Sequence, residues 1–203
     1  MLVPVINLAV WRRRPLGLEM PRLLLAGAFA AAFGFVEAAV VVYLRSALGL
    51  AGGERLMLQD VEKLATMVAL PADAASQTLM RVEVAREAAT IIMLVSVAML
   101  AARALRDRWA AFLWMFAIWD IVYYAGLWAT VGWPASLLDA DVLFLIPVPW
   151  LSQVWFPLLV SLLCVGAVLA GRRSRGGFQK HPERSEGALP QAESLGPVAI
   201  PRR

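Results

Sequence analysis

Four apolar runs, each long enough to cross a bilayer, dominate the pattern of hydrophobic and polar positions. They cover Leu23–Leu44, about Glu83 to the residue before Arg103, Trp109–Val131 and Leu151–Ala170. A helix rises about 1.5 Å per residue and the hydrocarbon layer is roughly 30 Å thick, so about 20 apolar residues suffice to span it. The sequence therefore predicts an all-α fold, a polytopic membrane bundle of four transmembrane helices.

Two further helical segments are predicted between the spans. Met57, Val61, Leu64 and Val68 recur at helical spacing, which predicts an amphipathic helix on the outer surface. After Pro71 no helix-breaking residue occurs until the second span is complete, so that span is expected to begin outside the bilayer as one long helix.

The stretch Leu137–Ile146 is apolar but too short to cross a membrane. Ser136 and Asp139 have the spacing of a helix capping box, and Pro147 and Pro149 follow the stretch. We therefore expect a re-entrant or interfacial half-helix, joined to the fourth span by an elbow at the two prolines.

Composition and charge support a membrane protein with both termini in the cytoplasm. The chain has 203 residues, of which 61% are hydrophobic. Positively charged residues concentrate at one predicted face of the membrane: Arg12, Arg13, Arg14, Arg22, Arg103, Arg106, Arg108, Arg172, Arg173, Arg175 and Lys180. The opposite face has fewer: Arg45, Arg55, Lys63, Arg81 and Arg86. Such a bias places the richer face in the cytoplasm.

Three regions follow from this topology. Residues 1–21 form a cytoplasmic N-terminal arm, and Met20 is an alternative start that would make residues 1–19 a mis-assigned extension. Residues 22–170 form the membrane domain, and residues 171–203 form a basic cytoplasmic tail whose polar composition predicts disorder. Basic ends of this kind suit the lipid bilayer as partner better than nucleic acid.

The cysteine and histidine content limits the possible cofactors. Cys164 is the only cysteine, and His181, the only histidine, lies in the polar tail. One thiol cannot form a disulfide framework or an iron–sulfur site, and no histidine is available in the membrane for haem or zinc. We expect no cofactor, and the sequence leaves open whether the acids hold a metal ion.

Asp120 is the most informative candidate residue. It lies in the middle of the third span, where a carboxylate costs on the order of 2.5–3.5 kcal/mol on insertion scales, and therefore needs a polar neighbour. The other candidates all fall in the outer half of the predicted bundle: Glu37, Arg86, Glu87, Tyr123, Tyr124 and Asp141. They predict a polar or ion-binding cluster inside the bundle.

Each candidate also has a purely structural explanation. Glu37 borders a stripe of small residues in the first span (Ala26, Ala30, Gly34, Ala38), so it faces a helix contact, and Arg86 is the cation at a suitable depth to pair with it. Such a pair more often orders helices than performs chemistry. Glu83 and Asp139 are expected to act as a surface group and a capping group.

Four motifs carry a family resemblance: FGFVEAAVVVYLR (33–45), REAAT (86–90), WDIVYY (119–124) and DVLFLIPVPW (141–150). With these motifs residues 22–170 resemble a family of uncharacterised bacterial four-span membrane proteins. The resemblance implies a location in the bacterial plasma membrane, and it implies no mechanism.

Three classes of function remain open from the sequence. In the first, the acids bind a cation or proton in a small transporter or channel-like subunit, which is expected to be a homo-oligomer because four helices leave little room for a gated path. In the second, the protein is an assembly subunit that binds other membrane subunits. In the third, it is an enzyme acting on a lipid-linked substrate, which the lack of a nucleotide loop or a nucleophile–histidine pair disfavours.

Overall fold

The computed structural model describes residues 6–7, 9–11, 16–47, 74–144 and 150–173. Within these ranges the chain forms four long helices and one β-hairpin. Helix α1 is Met20–Ala47, α2 is Ala74–Ala101 and α3 is Leu105–Val131. Strands β1 (Ala140–Phe144) and β2 (Trp150–Gln153) follow, and helix α4 is Trp155–Arg173.

All four helices are long and apolar enough to cross a membrane, which confirms the predicted helical membrane bundle. Helix α2 begins at Ala74, well before its apolar part, as the absence of a breaker after Pro71 predicted. The predicted amphipathic helix around Met57–Val68, the elbow at Pro147 and Pro149, and residues 174–203 of the predicted tail lie outside the described residues. Residues 171–173, which were assigned to that tail, instead form the end of helix α4.

Helix α3 is the centre of the bundle, because α1, α2 and α4 all pack against it. The small-residue stripe of α1 explains the closest of these contacts. Ala30 and Ala38 are buried, and a Cβ added to Gly34 would lie 2.5 Å from the backbone oxygen of Trp119. Small residues therefore bring the backbones of α1 and α3 together.

Local chemistry explains where α3 begins and ends. Ala104 takes an extended conformation before the helix, and Asp107 in the first turn suits the positive end of the helix dipole. The helix ends at Gly132, whose φ of 69° is left-handed and whose N–H donates to the Trp128 oxygen at 3.0 Å. Glycine adopts this conformation without the penalty that a Cβ brings.

The predicted half-helix Leu137–Ile146 is wrong over its described part, because residues 137–144 form a single turn and then strand β1. Asp139 Oδ2 accepts hydrogen bonds from the N–H groups of Ala135 and Ser136, so the capping residues do interact. The Asp139 carbonyl, however, accepts the N–H of Val154 at 3.0 Å. That carbonyl is therefore used to pair β1 with the distant β2, instead of continuing a helix.

The fourth span begins at Trp155 and not at the predicted Leu151, and Pro157 supplies the reason. In a helix starting at Leu151, the missing N–H of Pro157 would leave the carbonyl of Gln153 without its partner. In a helix starting at Trp155, the proline lies in the first turn, where no helical partner is needed. Leu151–Gln153 instead belong to β2, with Leu151 opposite Val142 and Ser152 opposite Asp141.

The two ends of the bundle differ in character. We call the end formed by Leu16–Glu19, Ala102–Ala104 and Gly171–Arg173 the basic end, because the described arginines Arg22, Arg103, Arg106 and Arg172 lie there. We call the opposite end, with the β-hairpin, the hairpin end. The core of the basic half is apolar and contains Leu94, Ala98, Leu113, Met115 and Ala117.

Candidate functional site

Polar side chains gather in the half of the bundle nearest the hairpin end, on all four helices and the hairpin. We call this group the polar cluster: Glu37, Glu83, Arg86, Glu87, Thr90, Asp120, Tyr123, Tyr124, Asp141 and Ser161. It contains every candidate that the sequence singled out.

The first part of the polar cluster joins α1 to α2. Glu37 is only 4% exposed, and its Oε2 pairs with Nη1 of Arg86. Its other oxygen, Oε1, accepts a hydrogen bond from the Thr90 hydroxyl. The pairing expected between Glu37 and Arg86 is thus present, so a carboxylate that lipid could not solvate has a cation beside one oxygen and a hydroxyl donor to the other.

Arg86 holds a second carboxylate on its own helix. Its Nε donates to Glu83 Oε2 at 3.0 Å, and its Nη2 contacts Glu83 Oε1. Residues three apart on a helix are neighbours, so this fork-like pairing follows directly from the spacing. The prediction that Glu83 is only a surface group is wrong, because its side chain is 18% exposed and engages Arg86.

The second part of the polar cluster joins α3 to the hairpin and to α4. Asp120 is 7% exposed, and its Oδ2 accepts a hydrogen bond from the Ser161 hydroxyl of α4 at 2.8 Å. Tyr124 donates its hydroxyl proton to Asp141 Oδ2, also at 2.8 Å. Tyr124 lies seven residues before Val131, about 10 Å inside the helix end at 1.5 Å per residue, so β1 reaches into the bundle.

Tyr123 lies between the two parts. It is close enough to interact electrostatically with Arg86 and Glu83 on one side and with Asp120 and Asp141 on the other. Its ring also stacks on Trp119, with centroids 6.1 Å apart. The polar cluster is therefore one continuous group of interacting residues.

The polar cluster carries more acid than base. Its acids are Glu37, Glu83, Glu87, Asp120 and Asp141, and its cation is Arg86, which pairs with Glu37 and Glu83. Glu87 is 8% exposed and has interactions of its own. Fully ionised, this group would hold an unbalanced negative charge in a poorly solvated region, which is unfavourable unless protons or cations offset it.

The acids are dispersed and do not converge on one point. Among the residues that the structure describes, no three Asp, Glu, His or Cys side chains are grouped closely enough to hold a metal ion. Three acids are each hydrogen-bonded to a hydroxyl group instead: Glu37 to Thr90, Asp120 to Ser161 and Asp141 to Tyr124. A carboxyl–hydroxyl pair persists whether the acid is protonated or ionised, because a hydroxyl both donates and accepts.

Ser161 is a member of the polar cluster that the sequence analysis did not identify. It is 1% exposed and lies in the middle of the apolar run of α4. Its position there is the signal that could have identified it, since a polar residue deep in a span usually faces another helix.

No family model matches the chain, and neither a curated protein nor a solved structure shows significant similarity to it. The resemblance to a bacterial family and the bacterial location that it implies therefore stay predictions. What the four helices support is the coarser statement that this is a multi-pass membrane protein.

Proposed function

We propose that this protein is a small proton-linked membrane transporter whose proton-binding site is the polar cluster. The observation that carries the proposal is that the polar cluster gathers five acids, of which Glu37, Glu87 and Asp120 are buried, with one arginine on elements from all around the bundle. A cluster that only held helices together would gain most from equal numbers of acids and bases, because an excess of one sign of charge in a poorly solvated group costs free energy. An excess of acids favours a site that takes up and releases positive charge.

Protons fit this arrangement better than a metal ion. Metal ions require several oxygen ligands around one point, whereas the acids of the polar cluster are spread and bonded to hydroxyl groups. Chains of carboxyl groups and hydroxyls inside membranes are typical of proton pathways. Asp120 is the innermost acid of the cluster and is proposed as the central proton-binding residue.

A transporter fits better than an open channel. Beyond Asp120, the described basic half of the bundle has a core of packed apolar side chains such as Leu113 and Met115. A polar site that is closed on one side is consistent with a protein that opens to each side in turn.

The function is tested by proton flux into liposomes that contain the full-length protein and a trapped pH-sensitive dye. A potassium diffusion potential drives the flux, with gradients of sodium or magnesium as separate arms. We expect flux above that of protein-free liposomes, and we expect Asp120→Asn to abolish it, because an amide cannot exchange a proton at this position.

Asp139→Asn is the matched control for this experiment. Asp139 is also a buried acid near the hairpin end, but it caps a loop, and asparagine caps well. It should retain the flux. A wild-type protein without flux in every arm would refute the transporter and favour the assembly subunit, while equal flux in Asp120→Asn would exclude Asp120 as the proton-binding residue.

We further propose that both termini are cytoplasmic, which puts the polar cluster toward the outer leaflet. Reporter domains fused after Gly53 and after Arg175 should report opposite sides of the membrane, because the arginine-rich face stays in the cytoplasm. Phosphatase and fluorescence reporters together measure this. Equal signals at the two positions would contradict the four-span topology.

A further inference from the structure

The segment that precedes α1 is built into the basic end of the bundle. We call its described residues, 6–7, 9–11 and 16–19, the arm. Trp11 and Leu16 are each 1% exposed and Leu18 is 6% exposed, and all three belong to the main apolar core. Apolar side chains outside a span become this buried only by packing against the protein itself.

Hydrogen bonds to the backbone of the arm join it to two helices. The N–H of Leu16 donates to the Gly171 carbonyl at 3.1 Å, and Arg172 Nε donates to the Leu18 carbonyl at 2.9 Å, which joins the arm to the end of α4. The N–H of Gly17 donates to Asp107 Oδ1 at 3.1 Å, which joins it to the start of α3. The arm thus crosses from one helix end to another.

Gly171 makes the tightest part of this contact possible. A Cβ added there would lie 2.9 Å from Trp11 Cβ, closer than real Cβ atoms approach, and 3.2 Å from Leu16 Cδ1, which is tighter than most Cβ contacts. The arm can therefore lie flat against α4 only because residue 171 has no side chain.

One face of α4 connects the arm to the polar cluster. Ser161, Cys164, Val168 and Gly171 follow one another at helical spacing, and all are buried. Ser161 donates a hydrogen bond to Asp120, and Cys164 is close enough to Asp120 to interact with it electrostatically. Gly171 packs against the arm. The arm therefore covers, at the basic end, the buried face of α4 that leads toward Asp120.

We propose that the arm is a cap that closes the basic end of the bundle and separates the polar cluster from the aqueous phase on that side. The role of the arm as the inner closure of a transport path rests on the proposed function. Its role as a seal over the core around Cys164 is independent of that function. Loosening the arm exposes that core, and in a transporter it also admits protons from the basic end.

Cys164 is a natural reporter for the cap, because it is the only cysteine of the chain and is 2% exposed. The full-length protein in detergent is treated with a water-soluble sulfonated maleimide, and the labelling rate of Cys164 is followed by mass spectrometry. Gly171→Ala pushes Trp11 and Leu16 away, so labelling should accelerate by about tenfold or more, as expected when a local seal opens.

Gly166→Ala is the matched control on the same helix, because a Cβ there meets nothing within 4 Å. It should label at the wild-type rate. Trp11→Ala is a second test, since it removes a buried arm side chain and leaves all four helices unchanged, and it should also accelerate labelling. Circular dichroism at the labelling temperature shows that the helices are intact.

The outcomes of the two experiments are separable. If Gly171→Ala and Trp11→Ala label no faster than Gly166→Ala, the cap is refuted, whatever the proton flux. If labelling accelerates in both while wild-type liposomes show no flux, the cap stands as a seal and the transporter is refuted. Accelerated labelling with faster flux in the same variants supports both.

Discussion

Arg86→Ala should lower the free energy of unfolding by about 3 kcal/mol, at the lower end of what removing one partner of a buried ion pair costs. The substitution leaves Glu37, whose side chain is 5% exposed, without its cation. The lower end applies because the Arg86 side chain is itself 24% exposed and is partly solvated. Unfolding of the detergent-solubilised protein with increasing SDS measures the change.

The double variant Arg86→Ala with Glu37→Gln should recover part of this loss, because a neutral amide no longer needs a cation. Recovery is expected to be incomplete, since Glu83 also loses its partner. Arg22→Ala is the matched control: its ion pair with Glu19 is on the surface, with side chains 58% and 66% exposed, and should contribute little. Additive effects of the Arg86 and Glu37 substitutions would contradict an energetic coupling between them.

Gly34→Ala should also destabilise the protein, by about 1–3 kcal/mol, which is typical of overpacking in a well-packed core. The added Cβ would lie 2.5 Å from the backbone oxygen of Trp119. A side chain could rotate away, but a helix backbone can yield only if α1 and α3 move apart. Glu37 follows one turn later on α1, so the separation should also disturb its contacts with α2.

The same SDS titration measures the effect, with Gly166→Ala as control. Both substitutions give alanine in a helix, which by itself favours the helix by up to about 1 kcal/mol. Only Gly34 faces a backbone at contact distance, so the difference between the two variants isolates the helix–helix contact. Equal stability of the two variants would mean that α1 and α3 do not pack through Gly34.

Most residues of the polar cluster could be predicted from the sequence, because the depth of a residue in the membrane follows from its position along a span. Asp120 is halfway along its apolar run, and Glu37 and Arg86 lie in the outer halves of theirs, so helices of known direction bring them to the same half of the bundle. The small-residue stripe of α1 likewise predicted a close helix contact, which Gly34 makes with Trp119. Which helices are neighbours does not follow from depth, and so the partner of Asp120 on α4 was missed.

The sequence by itself determined the four spans, their order and the residues that cannot face lipid, because apolar length and the cost of burying charge act locally along the chain. Only the tertiary structure decided the described segments outside the spans, which are the hairpin after α3 and the arm before α1. The segment after Asp139 is apolar enough for helix or strand, and its pairing with Trp150–Gln153 selects the strand. The arm is decided in the same way: nothing in its own sequence requires Trp11 to be buried, and it is buried because Gly171, 160 positions further along the chain, leaves room for it.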